Sequence, residues 1–231
     1  IMPTKQEISW MKLFAEGLAV VLSILLAFSI DAWWNLRQER ADEDVIRAAL
    51  IEEMSVIDRE MNRNTTQARA MRDSARSLLS HARNPTSELS DDQIDSLLSD
   101  TTWTFGTFRI PVIDSLVQGG RLRLLSNSEL QVMLVKWPAE IDYIDNTLLR
   151  SRDFLDQQYL PFLRSNASIA QIYAADDGQP GHPENVYPYG DETEGFTPRS
   201  HRDLIQMAEF QNLLNDRIVL LTEIIGYGAD V

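Results

Sequence analysis

Three histidines, His81, His182 and His201, are the whole imidazole complement of this 231-residue chain, and they fall on three separate segments. None has a partner at ligand spacing, so neither a metal site nor an acid–base pair is written into the sequence at short range. Cysteine is absent, which removes disulfides, thiolate metal sites and a cysteine nucleophile. No serine sits in a nucleophile elbow, and no glycine-rich loop is built to cradle a phosphate. An acidic loop carries Asp176, Asp177, Glu184, Asp191, Glu192 and Glu194. A dedicated calcium loop alternates its oxygen ligands around an obligatory glycine, and that pattern is missing. The expectation is a protein with no catalytic residues, no metal ligands and no cofactor.

Charge narrows the partners. Lys and Arg number 21 against 35 Asp and Glu, a formal net charge of −14. That excess repels phosphate backbones, so nucleic acid is not expected as a partner. Basic residues are almost all Arg, with lysine only at Lys5, Lys12 and Lys136, a bias typical of GC-rich bacterial genomes.

The element on which the rest depends is 13–34, LFAEGLAVVLSILLAFSIDAWW. From Gly17 to Ile30 it carries no charge, and its length matches the roughly 20 residues that cross a hydrocarbon core. Trp10 precedes it and Trp33 and Trp34 close it, an indole belt about 36 Å from end to end at 1.5 Å per residue. A cleaved leader would be shorter and would end in small residues rather than Asp31-Ala-Trp-Trp. A bacterial inner-membrane anchor with a single pass is expected, preceded by a tail at 1–12. Lys5 and Lys12 before it nearly balance Arg37, Arg40 and Arg47 after it, with a slight lean to a cytoplasmic C-terminal domain. Within the span Ala15, Ala19, Ser23 and Ala27 recur every four residues, a small-residue stripe that lets another helix approach closely.

The remaining 35–231 reads as all-α. No Gly or Pro interrupts Trp34 to Arg83, and Leu50, Met54, Ile57, Met61, Asn64, Ala68, Met71, Ala75 and Leu78 step by four and three, the seam of a bundle helix or coiled coil. Ser90 opens a short helix, and Pro111 to Gly119-Gly120 frames another. Ser126 with Glu129 has the spacing of a capping box. The long helix that follows carries a second seam, Leu130, Leu134, Trp137, Ile141, Ile144, Leu148, Ser151 and Leu155, with Pro138 expected to kink it. Residues 165–199 read as an irregular loop. Ser200 then caps a last helix, whose third seam runs through Leu204, Met207, Gln211, Leu214, Ile218, Leu221 and Ile225. An N-terminal transmembrane helix continuing into a long helix, then an antiparallel helical bundle, is the natural product. Trp103, Phe105 and Phe108 form an aromatic corner that either packs under the bundle or serves as a docking patch.

The passages Ile30-Asp-Ala-Trp-Trp-Asn-Leu-Arg and Ile113-Asp-Ser-Leu-Val-Gln-Gly-Gly-Arg-Leu-Arg-Leu-Leu-Ser-Asn-Ser-Glu-Leu resemble a family of uncharacterised bacterial membrane proteins, a domain of unknown function. The resemblance implies a one-span anchor with a helical domain, and it brings no activity or catalytic residue. The expected role is a non-catalytic accessory or scaffolding subunit of an integral membrane complex. A photosynthetic reaction centre with its light-harvesting ring is the specific assembly expected, respiratory complexes coming next. Its partners are then the lipid bilayer and other membrane subunits. The alternative is a self-associating scaffold or signalling adaptor zipped along Leu50 to Leu78.

Overall fold

The computed structural model describes residues 10–84, 89–174 and 199–227, with the side chains of 10–13, 15 and 174 outside that description. Among the described residues the fold is all-α, without a strand. Helix α1 is a continuous Trp10–Arg83 rod, followed by α2 (Asp91–Asp100), α3 (Pro111–Gln118), a 3-10 turn (Arg121–Leu124) and α4 (Ser128–Phe154). A π turn (Leu155–Tyr159) leads into α5 (Leu160–Asn166), α6 (Ile169–Ala174), α7 (His201–Leu204) and α8 (Ala208–Tyr227).

The chain divides into two compact units. Unit 1 comprises Ile1–Glu52 with Val112–Val135, and unit 2 comprises Glu53–Pro111 with Lys136–Val231. Every residue of the first seam is buried except Met54, which is half-buried. That seam is therefore occupied by the chain itself.

In unit 1 the buried apolar side chains are Ile46 and Leu50 of α1 with Ile113, Leu116, Leu125 and Leu134 of the second segment. Glu43 ties the two segments together. Its Oε1 accepts from the Ser126 amide at 2.9 Å, from the Ser126 hydroxyl at 2.6 Å and from Arg47 at 2.9 Å. These donors, the Ser126 hydroxyl first, hold the Glu43 carboxyl below its ordinary range. Ser126 is thus committed to α1 and does not cap α4. Asn127 does so instead, its side-chain oxygen accepting from the amides of Glu129 and Leu130 at 2.9 and 3.1 Å. Gly120 sits at φ +62, the left-handed position where a side chain would be strained, and so turns the chain out of α3.

Unit 2 has a contiguous core drawn from α1, α2 and α4 to α8, with Tyr159 stacked between Phe154 and Phe210 at ring separations of 6.1 and 5.9 Å. The α2 start is a true capping box, Ser90 and Gln93 exchanging side-chain and backbone bonds. Helix α4 runs through Pro138 without interruption, and the wide turn falls before Pro161. The Pro161 ring has no amide to donate and crowds the carbonyl four residues back, which relaxes the helix into a π turn. Helix extends further than expected into 165–199: Ser165 and Asn166 close α5, and α6 covers Ile169–Ala174. The rest of that stretch, with His182 and the acidic cluster Asp176 to Glu194, lies outside the described residues. Ser200 caps only the four-residue α7, and α8 starts afresh at Ala208.

Two tests follow from unit 1. Asn127→Ala should cost about 1 kcal/mol of unfolding free energy, while Glu129→Ala should cost only about 0.3–0.5 kcal/mol from the helix dipole, both by denaturant titration in detergent. A capping box at Ser126 would make the two comparable. Glu43 supplies the second. A carboxyl whose folded pKa is depressed stabilises fully above its unfolded pKa, and that contribution is lost as pH falls through the folded pKa. The Ser126 amide resonance should accordingly move with a midpoint below that of an ordinary glutamate. A midpoint at or above the ordinary value would contradict the link.

Candidate functional site: an exposed apolar helix and a buried arginine

The N-terminal part of α1 is apolar on every side. Its mean hydropathy over the best window reaches 1.9, and none of that window is buried within the chain. Ten large apolar side chains from Phe14 to Ile30 stand open, from 49% at Leu18 to 73% at Phe14. At about 1.5–3 kcal/mol for each such side chain, water leaves on the order of 15–30 kcal/mol of transfer free energy ungained. The helix is long and apolar enough to cross a membrane.

Its polar groups fit that length. Ser23 and Ser29 donate their hydroxyls to the carbonyls of Ala19 and Leu25, each at 2.7 Å, so neither presents an unsatisfied hydroxyl to its surroundings. Trp33 and Trp34 form a tilted pair at 6.4 Å, and the Arg37 guanidinium lies over the Trp33 ring at 5.7 Å, a cation–π contact at the end of the apolar stretch. Of the small-residue stripe, Ala19, Ser23 and Ala27 are exposed. The side chains of Ala15 and Trp10 lie outside the described residues. Gly17 adds open space, since a Cβ there would meet nothing within 4 Å.

Two of the three rings of the aromatic corner are packed away. Phe105 and Phe108 are each only 6% exposed, with Trp103 half-buried. The Phe108 amide donates to the Asp145 carboxylate at 2.9 Å, which pins the corner to α4, and burial raises the Asp145 carboxyl above its ordinary range.

What holds the preceding turn is a residue the periodicity passed over. Arg217 of α8 is fully buried. Its Nε donates to the Thr101 carbonyl at 3.3 Å, one Nη to the Ser151 hydroxyl at 2.6 Å and carbonyl at 3.3 Å, and the other Nη to the Trp103 carbonyl. Every one of these partners is neutral. Burial therefore draws the guanidinium down to about 10, still charged at neutral pH. Thr101 spends its hydroxyl proton on the Leu98 carbonyl at 2.6 Å, so at 2.7 Å it accepts the proton of Tyr159. Burial raises the Tyr159 phenol well above its ordinary value. The whole knot ties the end of α2 to α4, the π turn and α8. The buried face of α8 is Phe210, Leu214, Arg217, Leu221 and Ile224, which shares Leu214 and Leu221 with the expected line but not Gln211, Ile218 and Ile225. Those five also step by four and three. Charge alone hid the arginine from a hydrophobic pattern.

His201 and Arg202 pin α7 to α2 in the same structural manner. His201 Nδ1 meets the Asp95 carboxylate, and Arg202 meets Asp91 at 2.9 Å and the Leu89 carbonyl at 2.9 Å. The His201 Nε2 is buried without a hydrogen-bond partner among the described residues.

Removing the guanidinium leaves the buried acceptors of Thr101, Ser151 and Trp103 without their donor, at about 1–3 kcal/mol for a buried polar group left unpaired. Arg217→Met should destabilise the chain by that order in denaturant unfolding. Arg217→Lys should fall between, having no planar fork to span three carbonyls. Two variants as stable as wild type would remove the knot from the account.

No protein-family model, no curated protein and no solved structure matches this chain significantly.

Proposed function

We propose that the chain is a single-pass membrane protein whose helical domain and anchor serve as a non-catalytic accessory subunit of a bacterial integral membrane complex. A photosynthetic or respiratory assembly is the class of complex proposed. The observation that carries this is the apolar half of α1, which has no cover within the chain and whose serine hydroxyls are satisfied internally. Such a surface needs lipid or another apolar helix around it. The described polar clusters are spent on packing, which supports the same reading: Arg217 on carbonyls, His201 on Asp95, Glu43 on Ser126.

Burial of the Leu50 to Leu78 seam within the chain weighs against the alternative of a parallel coiled coil between copies, since little of that face remains to zip. The exposed Ala19, Ser23 and Ala27 face is the better candidate for a partner helix. Close packing, not a hydrophobic driving force, holds helices together in lipid. Ala19→Leu with Ser23→Leu should therefore release the protein from its complex while circular dichroism of the helical domain stays unchanged. Val20→Phe and Leu25→Phe, on other faces, should matter less. Retention of the Ala19→Leu, Ser23→Leu variant in mild-detergent co-purification at the wild-type level would reduce the stripe to composition, and mass spectrometry of the retained partners identifies the assembly.

A further inference from the structure

We propose that the 3-10 turn Arg121–Leu124 is a second membrane contact, in which Arg121 and Arg123 lie against the anionic headgroups of the leaflet where α1 leaves the bilayer. This rests on the reading of α1 as a span. It draws on a separate set of residues, all within unit 1.

Along α1 the described side chains from Glu16 to Asp42 are exposed, and cover begins at Glu43. Ser126 bonds Glu43 with both its amide and its hydroxyl, so it marks the edge of the packed part of unit 1 nearest the apolar stretch. The turn Arg121–Leu124 precedes Ser126 by two residues. Glu43 lies nine residues beyond Trp34, about 14 Å along a helix. A headgroup layer takes up about 5–8 Å of that. The remaining gap is about one Debye length at physiological salt, roughly 8 Å, before any reach of an arginine side chain is counted.

The charges at this edge are also unsatisfied. Arg121 and Arg123 are exposed, and neither makes a hydrogen bond or ion pair among the described residues. Arg47, in the same unit, is paired with Glu43 at 2.9 Å and lies 3.8 Å from Asp44. In a chain with net charge −14 carboxylates are plentiful, yet these two guanidiniums stand apart from them, flanked by the half-buried Leu122 and Leu124. Glu39 and Asp42 on the neighbouring flank of α1 are exposed and would be repelled by anionic lipid. Contact is thus confined to the tip. Lipid phosphate is the partner whose chemistry matches two free arginines within five residues of the Ser126 contact with Glu43.

The absence of cysteine makes the test direct. The full chain carrying Ser128→Cys, an exposed position at the start of α4, is labelled with a fluorophore and placed in nanodiscs. The discs contain phosphatidylcholine alone or with phosphatidylglycerol, each doped with a headgroup-nitroxide lipid. Each arginine near an anionic surface shifts a contact equilibrium about fivefold. Quenching should rise in the phosphatidylglycerol discs, and fall to the phosphatidylcholine level in high salt or in Arg121→Gln with Arg123→Gln. Equal quenching in the two discs, or a rise that salt and the double variant leave intact, overturns the proposal. A second label at Ser23→Cys with an acyl-chain quencher keeps the two claims apart. If it is quenched, the span stands whatever the headgroup result; if it is not, both fall.

Discussion

An apolar helix surface that its own chain leaves bare is the constraint to which the rest of this structure answers. From Gly17 to Ile30 no side chain carries a charge, and a helix is the one conformation that satisfies its own backbone without help from solvent. The sequence keeps that helix intact, with no proline in the rod and with serine hydroxyls folded back on carbonyls. Past Trp34 the same helix becomes amphipathic. Its first firm tertiary bond is Glu43 to Ser126, and from Ile46 onward one stripe is buried.

Unit 2 answers a different constraint. Its non-repetitive stretch after α2 leaves carbonyls at Thr101 and Trp103 inside a core, where an unpaired acceptor costs about 1–3 kcal/mol. A single guanidinium with a planar fork satisfies both and reaches Ser151 as well. Because no carboxylate meets it, the charge rests on oriented dipoles alone, and burial lowers its proton affinity to about 10. Tyr159, held in the π turn and bonded to Thr101, closes the arrangement. The chemistry is that of a structural pin, and it uses the residue type most able to serve several acceptors at once.

Periodicity made much of this legible. The long α1, its seam from Leu50 to Leu78, the start of α2 at Ser90 and the helical class follow from spacing and capping residues, because those signals are local. Two features escaped for physical reasons. Ser126 has the spacing of a cap, but a carboxylate 83 residues away competes for its donors, and Asn127 takes over. Arg217 lies on the 4-3-4-3 line of α8, where the pattern Phe210, Leu214, Leu221 and Ile224 has a gap that only a buried charge fills.

The central claim is that α1 crosses a bilayer, and side-specific labelling tests it most directly. With no native cysteine to interfere, a single cysteine placed at Thr4 and another, in a separate variant, at the exposed Asn215 of α8 are exposed to a membrane-impermeant maleimide in intact and in lysed spheroplasts. The account predicts that exactly one of the two sites reacts before lysis and both react after it. Reaction of both sites, or of neither, in intact spheroplasts would place them on one side of the membrane and contradict the span.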